Sequence, residues 1–140
     1  MREARHHRGL IDTSVVIDLH RIDARDLPAE IAVSAISMAQ LAAGPHATDD
    51  VDERSRRQDR LQRAVTAFEP IAFDDDAARA YGRVYAAVLR GGRKARGRRA
   101  LDLLIAATAL AARLPLYTRN PSDFAELDGL VEVVPTEAEA

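Results

Sequence analysis

The sequence lacks several things that usually reveal a function, and each absence narrows the field. None of its 140 residues is cysteine, which excludes disulfides, thiolate metal sites and cysteine nucleophiles and is compatible with a reducing cytoplasm. Tryptophan is missing too, and three Phe and three Tyr form the whole aromatic complement. None of these rings interleaves with the arginines, so stacking of bases on an aromatic platform is not indicated. Nor does one sign of charge prevail: 20 Lys and Arg against 22 Asp and Glu leave a formal charge of −2, too balanced for a wholesale nucleic-acid binder. No apolar run reaches the ~20 residues of a membrane span, and the opening MREARHHRG is charged where a signal peptide would be apolar. A soluble cytoplasmic protein without a membrane partner is expected.

An apolar fraction of 47% is ample for one core, and no repeat period is visible. The whole of 1–140 reads as one domain, with its core at 8–135 and frayed tails at 1–7 and 136–140. Gly9-Leu10-Ile11 reads as a strand that meets Asp12, Thr13 and Ser14 before a helical run. Ile31-Ala32-Val33 repeats the pattern, with Ser34 and Ser37 leading into a helix that Gly44-Pro45 stops. A charged, solvent-facing helix or helical hairpin follows over 47–67, then a short strand at Pro70-Ile71-Ala72-Phe73. Asp74 opens an amphipathic helix that ends at Gly91-Gly92. Residues 100–114 are almost wholly apolar and long enough for a buried helix, closed by Pro115. Strands at 116–118 and 131–134 complete five. The expected class is α/β, a five-stranded, mostly parallel sheet flanked by helices.

In an open parallel sheet the functional crevice lies beyond the carboxyl ends of the strands. Asp12 ends the first strand, Asp123 follows the strand at 116–118, and Asp102 sits near the start of an otherwise apolar helix. Taken singly, such residues are usually turn formers or helix caps, and Asp123 suits a cap for the residues after it. Together they form a cluster whose mutual repulsion a hard divalent cation would relieve. Magnesium, with oxygen ligands and retained waters, points to hydrolytic phosphoryl transfer.

Three ordered segments carry a resemblance: Leu10-Ile11-Asp12-Thr13-Ser14-Val15, Asp102-Leu103-Leu104-Ile105-Ala106-Ala107-Thr108-Ala109, and Thr118-Arg119-Asn120-Pro121-Ser122-Asp123-Phe124. Together they resemble the PIN-domain VapC toxins over nearly the whole chain. That resemblance implies a PIN-like five-stranded sheet, a magnesium-dependent endoribonuclease (Mn²⁺ a substitute), a bacterial cytoplasmic setting, a homodimer, and a VapB-type antitoxin whose tail occupies the active-site groove. It makes Asp12, Asp102 and Asp123 the metal-site acids, with Thr13, Ser14, Thr118 and Asn120 as polar residues lining the site. The family's glutamate in the helix after strand two is here Gln40, which keeps the reach but contributes no charge and cannot act as a base. We expect Gln40 to stay at the site with weaker metal affinity.

Residues 90–99 read RGGRKARGRR. Arg93, Lys94, Arg96, Arg98 and Arg99 are candidates to follow an RNA backbone, although a solvated loop would look the same. Gly92 and Gly97 have P-loop spacing, but arginines stand where Lys and Ser/Thr are required. His6, His7, His20 and His46 form no spaced zinc pair. Two other readings compete: a silent PIN scaffold that lost turnover with its glutamate, and a phosphoryl-accepting receiver domain. The receiver is disfavoured because Thr13, Phe73 and Val134 stand where acids and a lysine are needed.

Overall fold

Four short apolar segments pair into one parallel sheet, and their alternation decides which helices cover each face. In the computed structural model, which describes residues 6–92 and 97–136 apart from the side chain of Arg98, the strands are β1 (Arg8–Ile11), β2 (Glu30–Val33), β3 (Leu116–Thr118) and β4 (Val133–Pro135). The helices are α1 (Thr13–Ile17), α2 (Ala35–Ala43), α3 (Val51–Ala67), α4 (Asp75–Arg90) and α5 (Arg98–Ala112), with 3₁₀ turns at Leu19–Arg21, Ala24–Asp26, Gly44–Ala47 and Pro121–Leu127. The strand order is β2-β1-β3-β4 and every pair is parallel.

A strand buried on both faces sends successive side chains into opposite cores. Leu10, Ala32 and Leu116 enter the core built with α4 and α5, among them Val84, Val88, Leu103 and Ile105. Their neighbours Ile11, Val33 and Tyr117 enter the other core with Val15, Val16, Leu41 and Ala64 of α1, α2 and α3. Helix starts follow the sequence closely: the side chains of Asp12, Ser34, Asp50 and Asp74 cap α1, α2, α3 and α4 by accepting a backbone N–H three residues on. Residues 51–67 form one helix rather than a hairpin.

The expected strand at 70–73 contracts to a single parallel bridge between Ser34 and Ile71, so the sheet has four strands instead of five. Ile71 donates to Val33 and accepts from Ala35, each at 2.8 Å. Pairing ends there because the residue after Ser34 already begins α2, so the next position in parallel register finds a helix and not an extended neighbour. The last strand begins at Val133 rather than Val131, which instead sits in the core.

Gly9 marks a close approach: a Cβ there would lie 2.6 Å from Tyr117 Cε1 and 3.1 Å from Pro28 Cβ. Tyr117 is 2% exposed, packed in the core with Ile11, Val15 and Val33. Gly9→Ala is therefore expected to cost about 1–3 kcal/mol by overpacking, seen as a lower urea midpoint with an unchanged slope; an unchanged midpoint would show that the ring can swing clear.

Candidate active site

The chain leaves β1 for β2 on one side of the sheet and later returns to β3 on the other. Connections diverge from the β1/β3 pair, and such a switch point opens a crevice at the carboxyl ends of its strands. Asp12 and Thr118 stand there side by side, joined through the Asp12 N–H, which donates to Tyr117 O at 3.0 Å.

Asp12 is 4% exposed. As cap of α1, its Oδ1 accepts the Val15 N–H at 3.1 Å and the Ser14 hydroxyl at 2.6 Å, and Thr118 adds a side-chain hydrogen bond. Burial pushes its pKa above the ordinary aspartate value; hydrogen bonds from Ser14, Thr118 and the backbone oppose that rise without cancelling it. The carboxylate has lost more hydration than its donors replace, so a proton or a cation is favoured beside it.

A second hydroxyl network adjoins the first. Thr13 Oγ1 lies 2.9 Å from Ser37 Oγ and within hydrogen-bond reach of Gln40 Oε1, donating to one at a time. Ser37 N–H donates to Ser34 Oγ at 3.0 Å. Gln40 is half-buried and its amide oxygen accepts from Thr13, the residue after Asp12. On the other flank, Ser14 Oγ accepts the Arg119 N–H at 3.2 Å, and the Arg119 guanidinium pairs with Asp18. Asn120 N–H donates to Thr118 Oγ1 at 3.0 Å.

Asp102 is half-buried on α5, and Asp123 is half-buried in the turn Pro121–Leu127, its N–H donating to Asn120 O at 3.0 Å. One bonded network thus joins Asp12, Ser14, Thr118 and Asn120, and a second joins Thr13, Gln40, Ser37 and Ser34. Among the described residues, no three Asp, Glu or His side chains stand close enough to hold a metal ion, so the three aspartates are not drawn around one point. The donors on offer are carboxylate, hydroxyl and amide oxygens, which fit a hard divalent cation and not a soft one.

Of the candidate phosphate-binding residues, Arg93, Lys94 and Arg96 lie outside the described residues, as does the side chain of Arg98. Arg99 turns inward, donating to the Asp123 carbonyl at 2.8 Å and to Glu126 Oε1 at 2.9 Å. Ser37, Asp18, Arg119 and Glu126 join the site's surroundings without having been singled out from the sequence. A signal existed for one of them: Ser34, Ser37 and Gln40 recur every third residue, one face of α2.

Residues 9–130 match the family model described as PIN domain. The chain is 35% identical over 128 residues to Ribonuclease VapC5 of Mycobacterium tuberculosis, covering 89% of this chain and 91% of that protein. Among solved structures it resembles a member of the VapBC family of toxin-antitoxin systems, VapBC-5 of the same organism, with a TM-score of 0.80, 36% identity and coverage of 92% and 98%. It also resembles FitAcB of Neisseria gonorrhoeae, with a TM-score of 0.69, 25% identity and coverage of 89% and 94%.

The Asp12 burial has a measurable consequence for stability. A carboxyl whose pKa is raised by folding holds its proton more tightly in the native state, so it penalises folding above that raised pKa and ceases to do so as pH falls toward the ordinary value of 3.8. Asp12→Asn keeps the cap and removes the charge. Thermal unfolding should show the variant more stable than the parent near pH 7, with the gap closing as pH is lowered through the raised pKa; a gap independent of pH would mean that the Asp12 charge is not what costs stability.

Proposed function

This chain belongs to the PIN-domain VapC family, and from that premise we propose that it is the toxin of a type II toxin–antitoxin pair, a metal-dependent endoribonuclease restrained by a VapB-type antitoxin. The observation that carries the reading is Asp12, a carboxylate buried among oxygen donors at the β1/β3 switch point with its pKa raised. Burying a charge there without a partner costs free energy, and binding an ion is what would recover it.

Asp12, Asp102 and Asp123 would hold Mg²⁺, for which Mn²⁺ could substitute. When bound, the ion supplies an activated water and positive charge on the scissile phosphate. The protein's own groups do the rest. Ser14 and Thr118 fix the Asp12 carboxylate by hydrogen bonds. Thr13 orients Gln40, which can hold a water but cannot take its proton. Arg93, Lys94, Arg96 and Arg98 are suited to the RNA backbone. Tyr85 and Leu89 on α4 and Leu101 on α5 are exposed large apolar residues, available to a second copy of the chain in a homodimer.

One observation favours a second reading: no three acids stand at ligand spacing among the described residues, and the neutral Gln40 does not add a charge. A silent scaffold that binds antitoxin or RNA without turnover would have this site. Purified, antitoxin-free protein incubated with cellular RNA and Mg²⁺ or Mn²⁺ separates the two. Cleavage is expected, with Asp12→Asn and Asp102→Asn each slowing it by about a hundredfold or more, since several kcal/mol of charge stabilisation are lost. Gln40→Glu should lower the Mg²⁺ concentration at half-maximal rate. No cleavage by the parent, with ready cleavage by Gln40→Glu, would establish the silent scaffold.

A further inference from the structure

Arg99 was expected on sequence grounds to meet RNA, yet the structure commits its guanidinium elsewhere. The side chain is 14% exposed and its partner Glu126 only 9%. One nitrogen, Nη1, donates to the backbone carbonyl of Asp123 at 2.8 Å, and Nη2 donates to Glu126 Oε1 at 2.9 Å. Those acceptors flank the kink at Phe124, where φ −118° and ψ 16° interrupt the turn Pro121–Leu127. The planar fork thus spans the kink, holding the backbone before it and the side chain after it.

Glu126 is seated from the other side by the end of α4. A Cβ on Gly91 would lie 2.7 Å from Glu126 Cγ, so the glutamate packs against the bare cap glycine while Arg99 approaches from α5. Along α5, Arg99 and Asp102 are three residues apart and share a helix face. One side chain therefore ties the helix turn that carries Asp102 to the loop that carries Asp123.

We propose that Arg99 is a positioning residue: by clamping the Asp123 turn to the first turns of α5, it sets where Asp123 stands relative to Asp102 and so the affinity for a divalent cation. The proposal deepens the metal-dependent nuclease reading and rests on it. Arg99 does not touch RNA. Lysine is no substitute, because a single ammonium on a flexible stem does not reproduce the fixed two-donor fork.

The test uses the full chain and reads Mn²⁺ binding directly by electron paramagnetic resonance, apart from turnover. Arg99→Met should weaken Mn²⁺ binding roughly 10–100-fold, as loss of a group that orients ligands does, and Arg99→Lys should fall between it and the parent. RNA affinity, compared in an Asp12→Asn background to prevent cleavage, should stay within about twofold, with an unchanged salt slope. The double variant Arg99→Met with Glu126→Leu replaces the buried ion pair by apolar groups and should recover melting temperature, while Mn²⁺ binding stays weak because the Asp123 carbonyl has still lost its anchor.

Mn²⁺ affinity that is unchanged in Arg99→Met, or that returns with thermal stability in the double variant, would overturn the proposal. So would a salt slope reduced by about 1, the mark of a phosphate contact. If the parent itself binds no Mn²⁺, the metal reading fails. The clamp is then judged alone by amide exchange across 121–127, expected to quicken at least about tenfold in Arg99→Met while β1 is unaffected; no acceleration overturns the clamp as well.

Discussion

The buried carboxylate of Asp12 is the constraint around which the rest of the site is arranged. It closes the central strand β1, caps α1 and receives hydroxyls from Ser14 and Thr118, so a single side chain serves chain direction, helix initiation and local electrostatics. Its hydrogen bonds do not repay its lost hydration, which is why its pKa lies above the ordinary range. A residue needed only as a cap would do as well as asparagine. The uncompensated charge is what the cation of the proposed function would offset.

The sheet makes that placement possible. With the order β2-β1-β3-β4, the carboxyl ends of β1 and β3 adjoin at the switch point, and the two cores on either face hold them in register. Shortening of the expected edge strand at residues 70–73 to one bridge leaves this centre untouched, because the loss falls at the side of β2 away from β1. Fold membership and the four-stranded outcome are therefore compatible, because the missing pairs lie at the edge and the β1/β3 pair is intact.

Two polar arrangements complete the surroundings in different ways. Gln40 bonds Thr13 and brings no charge, so the corner of the site nearest α2 is neutral. Between α5 and the turn Pro121–Leu127, Arg99 and Glu126 form a largely buried pair, and Arg99 also holds the Asp123 carbonyl. Arg99 is thus aimed inward, at a backbone carbonyl and a carboxylate, and not at solvent.

The sequence by itself determined the α/β class, four of the strands, the helix opened by Asp74 and the three aspartates worth watching, because periodicity, capping and turn chemistry are local properties that a chain carries in its order of residues. It marked Gln40 as the departure at a motif position. Only the tertiary structure decided that 70–73 pairs through one residue, that 51–67 is a single helix, that Thr13 bonds both Gln40 and Ser37, and that Arg99 turns away from solvent to Asp123 and Glu126. Each of those depends on partners from distant parts of the chain: an edge strand needs a neighbour with free N–H groups, and a basic side chain shows whether it meets solvent or a carboxylate only once the core has brought that carboxylate beside it.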